Sequence, residues 1–133
     1  MREAGTAELK DISVSSGMEL GHVLAVSLDG RPIATSKRIL IQVMSEEKAT
    51  DFKVQEQKDG GKKIVSIGHD PWLVKQFEGT VRIKRRDAAS LKVTALDENG
   101  DALKSIVGAG EIRLGSRVLY YLVEAAGTAA ASR

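Results

Sequence analysis

Two histidines, His22 and His69, are the only imidazoles in this 133-residue chain, and it has no cysteine. A hydrolytic nucleophile needs a base within hydrogen-bond reach, and neither histidine stands in a nucleophile motif. Thiol nucleophiles and thiolate metal sites are excluded outright. The 18 Asp and Glu residues are plentiful enough to supply a carboxylate pair, yet nearly all of them fall in turns or on polar strand faces. No catalytic residue is assigned, and no cofactor is expected.

Asp97, Asn99 and Asp101 imitate the first three ligands of a calcium loop. The glycine such a loop needs next is Ala102, however, and its closing glutamate position is Gly108, so the match fails where the geometry is decided. A polar hairpin tip accounts for the same residues. His69-Asp70 lacks a second imidazole at ligand spacing. No metal site is expected.

Binding surfaces offer more. Lys84-Arg85-Arg86 is the densest basic cluster; it would receive an anionic group, or simply be a solvated strand end. The 20 Lys and Arg against 18 acidic residues leave a net charge of +2, too balanced to imply nucleic acid. Flat aromatic side chains stack on the apolar faces of pyranose rings while polar groups bind the hydroxyls. The aromatics here are Phe52, Trp72, Phe77, Tyr120 and Tyr121. Trp72 follows a proline in an irregular stretch, where it is either an exposed stacking platform or a plug over one end of a core.

The elements that must position these residues read as strands. Apolar and polar residues alternate in Val81-Arg82-Ile83-Lys84, Leu91-Lys92-Val93-Thr94 and Glu111-Ile112-Arg113-Leu114, which gives half-buried strands. Ile39 to Met44 and Val118 to Val123 are apolar on both faces apart from Gln42, as in the middle of a sandwich. Asp29-Gly30 marks a tight turn into a short strand, Arg31-Pro32-Ile33. Asp59-Gly60-Gly61 closes a hairpin, and Asn99-Gly100 signals a type I′ hairpin. Gly68-His69-Asp70-Pro71 reads as a loop that bends the chain. Ser45 to Phe52 reads as short helix or turn, and Asp87-Ala88-Ala89-Ser90 as one helical turn or none.

Nine or ten short strands, with at most one or two helical turns, predict an all-β fold: an antiparallel β-sandwich. The expected organisation is a flexible N-terminal segment over 1–7, the sandwich over 8–124 and a flexible tail over 125–133. No segment approaches the roughly 20 consecutive apolar residues of a membrane-spanning helix, and neither membrane nor nucleic acid is an expected partner.

Nearly the whole fold, from about residue 8 to 124, resembles the C-terminal β-sandwich accessory domain that follows the catalytic barrel in a group of large bacterial glycoside-hydrolase-like proteins. The resemblance rests on Val26 to Ile33, Ser36 to Gln42, Gly68 to Val74, Glu78 to Lys84, Thr94 to Gly100 and Leu119 to Glu124. It implies a non-catalytic module of a larger carbohydrate-active protein, secreted or periplasmic, with the catalytic domain of the parent chain as its partner. It also implies weak binding of a polysaccharide or oligosaccharide. Trp72 would then be the stacking platform, with Asp70, Lys75 and Gln76 binding the sugar edges. The alternative implied function is purely structural: a sandwich that packs on the catalytic barrel, has no ligand of its own and exposes an apolar patch when alone.

Overall fold

The computed structural model describes residues 5–107, 110–115 and 117–127. Among these residues eleven strands form three sheets. The first sheet runs in the order β1 (Gly5–Glu8), β2 (Ile12–Ser16), β7 (Gly79–Ile83), β10 (Glu111–Leu114). In the second the order is β3 (Gly21–Ser27), β4 (Arg38–Ser45), β11 (Tyr120–Glu124), β8 (Lys92–Leu96), β9 (Ala102–Val107). The third is a two-stranded ribbon, β5 (Glu47–Glu56) with β6 (Lys62–Val74). Its residues, Ser45–Lys75, are one compact unit; Met1–Met44 with Gln76–Arg133 are the other. The stretch read from sequence as one domain therefore holds two units.

The first two sheets make the expected all-β sandwich. Strand alternation turns Ile39, Ile41 and Val43 of β4, Tyr121 and Val123 of β11, and Val93 of β8 inward from one side. Ile12, Val81, Ile83, Ile112 and Leu114 face them from the other sheet, and all belong to one buried cluster. Fully burying an aliphatic side chain of this size is worth about 1.5–3 kcal/mol, so this cluster is what holds the sandwich. β11 lies centrally, between β4 and β8, as its apolar run suggests. Met44 and the other outward residues of β4 are exposed or half-buried, so β4 is covered on its inner face and less on its outer one.

Phe77 closes this core, buried within the cluster. Gly21 makes room for it, since a Cβ there would lie 2.2 Å from the Phe77 ring. Of the two readings of Trp72, exposed platform or core plug, the plug is taken by Phe77 instead.

The β3–β4 connection is built around Asp29 rather than around a strand at Arg31-Pro32-Ile33. The Asp29 carboxylate accepts hydrogen bonds from the Lys37 amide (2.7 Å), the Ser36 and Ser27 hydroxyls (2.8 Å each) and the Arg31 amide (3.3 Å). Four donors on one carboxylate hold its pKa well below the ordinary range, the Lys37 amide foremost. Arg31 gives its amide to that carboxylate and Pro32 has none to give, which leaves too few donors for a strand pairing at Arg31 to Ile33. Arg85 ties the same loop from the other side: its guanidinium donates to the Ser36 carbonyl (2.6 Å) and forks onto Asp87 (2.5 and 2.7 Å).

At the β8–β9 hairpin only Gly100 adopts positive φ, at 88°. A type I′ turn needs positive φ at both central residues, so the expected turn type is corrected. Asp97 closes the loop instead, its carboxylate accepting from the Asn99 and Asp101 amides. The helical turn at Ala88–Ser90 is present as one 3-10 turn, whereas Ser45 to Phe52 is strand apart from Glu46, between the end of β4 and the start of β5, and not helix or turn. The N-terminal segment expected to be flexible carries strand β1, which pairs antiparallel with β2 from Gly5–Ser16 to Glu8–Ser13. Residues 1–4 and, in the tail, 128–133 lie outside the described residues.

Candidate functional site

The ribbon contrasts with the sandwich in one respect that bears on function. β-branched runs at Val54 and Ile64 to Ile67 flank the Asp59-Gly60-Gly61 turn, where Gly60 takes φ 82°, and the local chemistry dictates a hairpin. No third strand covers either edge among the described residues. Val54, Ile64, Val65, Ile67, Trp72, Leu73 and Val74 are all exposed, Ile67 to 80% and Trp72 to 60%. None of them joins the core cluster.

Cross-strand register sorts these residues by face. Phe52 opposes Ile67 and Val54 opposes Ile64, so these four share one face; Lys53 with Ser66 and Gln55 with Lys63 share the other. The distal ribbon is therefore amphipathic. Lys53, Lys58, Lys62 and Lys63 outnumber Glu56 and Asp59 there, which makes that end basic.

Gly68 to Pro71, expected to be a loop, stays within β6. The register passes from Thr50–His69 directly to Ala49–Trp72, so Asp70 and Pro71 are an inserted pair on one strand, joined by a cis peptide bond. Asp51 and Gly68, opposite each other, take φ 59° and 74°. At Gly68 a Cβ would meet the Thr50 carbonyl oxygen at 2.4 Å, so the two backbones approach as closely as only glycine permits. His69 bridges the irregularity: Nδ1 faces the Asp70 carbonyl (2.7 Å) and Nε2 the Asp51 carboxylate (3.1 Å). Two acceptors on one ring favour the imidazolium, and the Asp70 carbonyl and Asp51 raise the His69 pKa. This bridge is intact in mild acid and is lost as pH rises through that value.

Three of the four residues assigned to sugar binding, Asp70, Trp72 and Lys75, lie in the ribbon unit. Trp72 is exposed, and its same-face neighbours are Ala49 opposite it and the Glu47–Val74 pair beyond. Asp70 is in the inserted pair. Lys75 donates its amide to the Glu46 carbonyl (2.8 Å), and its ammonium lies 3.6 Å from the Glu46 carboxylate. Gln76 belongs to the other unit. A hollow of about 350 Å³ is lined by Glu46, Lys48, Leu73, Val74 and Lys75; Trp72 is not part of it. The residues missed in the sequence are Ile64, Val65 and Ile67, because a β-branched run beside a turn is the same signal that marks a core strand.

The other candidates resolve into structural roles. In the basic cluster, Lys84 is held by the Leu9 carbonyl (2.7 Å) and Glu8 (2.5 Å). Arg85, its side chain 8% exposed, is spent on Asp87 and Ser36. Only Arg86 points to solvent without a partner among the described residues. Asp97 is a local turn acceptor, and Gly108 lies outside the described residues. Among the described residues no group of three or more His, Asp and Glu is placed to hold a metal ion. Compared with protein-family models, curated proteins and solved structures, the chain matches none.

Proposed function

We propose that this chain is a non-catalytic accessory module in which the sandwich is the scaffold and the β5–β6 ribbon is the surface that packs against a neighbouring protein domain. One observation carries the reading: the ribbon exposes seven large apolar side chains, Val54, Ile64, Val65, Ile67, Trp72, Leu73 and Val74, that nothing in its own unit covers. Isolated two-stranded ribbons are marginal in water, and apolar surface of this kind marks an interaction site. The lysines at the distal end of the ribbon, Lys53, Lys58, Lys62 and Lys63, fit a partner that carries acidic groups beside that end. The sequence resemblance supplies the partner's class, a catalytic domain of a secreted or periplasmic carbohydrate-active protein. That part rests on the resemblance alone.

Ile67→Lys tests the docking. In the isolated chain it leaves the melting temperature unchanged, because Ile67 is in solvent; in the full product of the gene it lowers the melting of the neighbouring domain. The same small shift in both contexts would contradict docking.

A second reading is favoured by the 60% exposure of Trp72: weak stacking of a polysaccharide on its indole. Affinity electrophoresis against a glycan panel, with Trp72→Ala as control, tests it. No retardation on any glycan, or the same retardation in the variant, removes this reading and leaves the docking role standing.

A further inference from the structure

The sandwich is open along one side, where β9 ends one sheet and β10 ends the other. A slot of about 400 Å³ lies there, walled by Val93, Ala95, Leu103, Ile112, Val118 and Tyr121. That size falls in the range of small-molecule sites, ~300–1,000 Å³. The walls are apolar, and Leu103 on β9 is 57% exposed at the mouth.

Four polar side chains break the apolar lining, Lys104, Glu111, Arg113 and Tyr121; Glu111 and Arg113 alternate with the buried Ile112 and Leu114 and so lie on the outer, exposed face of β10. Lys104 opposes Ala95 across the β8–β9 register, so its side chain leaves β9 on the face that Ala95 turns to the core. Thr94 and Ser105 take the opposite face, their hydroxyls 2.9 Å apart. Lys104 therefore sits over an apolar slot and has no ion pair among the described residues. The one carboxylate in the lining, Glu111, is already held by Arg82 at 2.9 Å. At the inner end the Tyr121 hydroxyl accepts from the Gly115 amide at 2.8 Å, leaving its own proton without an acceptor among the described residues. Burial of Tyr121 keeps that hydroxyl protonated.

We propose that this slot is a binding site for a small amphipathic anion, a single carboxylate carried on an apolar chain or ring. The apolar part lies between Val93, Ala95, Ile112 and Val118. The carboxylate meets the Lys104 ammonium at the mouth, where the surrounding apolar wall strengthens the attraction relative to open water. A cation turned inward on an edge strand also discourages edge-to-edge pairing, but that role calls for neither a slot nor a ligand. The site is independent of the ribbon, so it stands or falls apart from the docking reading.

Decanoate, decyltrimethylammonium and phosphatidylglycerol vesicles are the probes, each titrated into the full chain. The amides of Ala95, Leu103 and Gly115 are followed by NMR, and Trp72 emission serves as a control for binding at the ribbon. Saturable shifts at those three amides with decanoate, and not with the cationic analogue, are the expected result. Lys104→Glu weakens decanoate by about tenfold or more, the loss of one favourable charge contact, while Lys104→Arg retains it. Equal response to both head groups, no effect of Lys104→Glu, or shifts of Trp72 emission without shifts at the three amides would overturn the proposal. So would binding to the vesicles with none to free decanoate, because the slot is argued to take the free amphiphile.

Discussion

Ile41 and Ile67 are the same side chain in strands of the same chain, yet the first is 0% and the second 80% exposed. Each lies in an apolar run, Ile39 to Met44 broken only by Gln42 and Ile64 to Ile67 broken only by Ser66. The difference is what stands opposite. β4 has a facing sheet whose Val81, Ile83, Ile112 and Leu114 complete the core, whereas the ribbon's sheet has two strands. Alternation determines which face of a strand is apolar; only a second layer decides whether that face is a core or an interface. In this protein the same pattern does one job in the sandwich and is left open in the ribbon.

The largest expected effect falls on the sandwich side of this contrast. Ile41→Ala removes three side-chain carbons from a closed site and costs about 2–5 kcal/mol of unfolding free energy, read from urea denaturation. A cost below about 1 kcal/mol would mean that the two faces are less different than their burial indicates.

Gly68→Ala separates the two units. It combines a φ of 74° with a 2.4 Å approach to the Thr50 carbonyl, so it disrupts β5–β6 pairing at a cost of order 1–3 kcal/mol. Amide exchange should rise at Phe52 to His69 while Ile41 and Val81 keep their protection. Loss of protection in both units at once would show that they unfold together.

Asp29→Asn sharpens the sandwich half through pH. The carboxylate's folded pKa lies below its unfolded value, so its contribution is complete above the unfolded value and is lost as pH falls through the folded one. The wild type therefore loses stability as pH drops below about 4. The variant starts lower at neutral pH and falls less steeply, as urea midpoints at pH 7 and pH 3 would record. Parallel pH profiles would remove Asp29 from this role.

Ile67→Ala should do least in the isolated chain, within about ±0.5 kcal/mol, as for exposed positions without special contacts. A larger loss would place Ile67 in a contact that its exposure denies.

Much of the fold was legible because its signals are local. Alternation set the inward faces of β7, β8 and β10, and Asp59-Gly60-Gly61 closed its hairpin. Ser45 to Phe52 was misread because Glu46, Glu47, Lys48 and Ala49 favour helix locally, and only pairing along β6 makes Glu47 onward a strand. Gly68 to Pro71 was misread as a loop because a bulge and a loop use the same residues; the partner strand tells them apart. Lys84-Arg85-Arg86 looked like a surface patch because Arg85's partners, Ser36 and Asp87, include one 49 residues away. For the candidate site, the exposure of Trp72 was foreseen as one of two outcomes. The apolar ribbon around it was not, since an uncovered strand and a covered one have the same sequence.

Trp72 is the chain's single tryptophan, so acrylamide quenching of its fluorescence reports on the ribbon without ambiguity. The account predicts quenching close to that of free indole in the isolated chain, falling several-fold in the full product of the gene, where the ribbon is docked. Equal quenching in both, or a Trp72 already shielded in the isolated chain, would contradict the ribbon's role as the interaction surface.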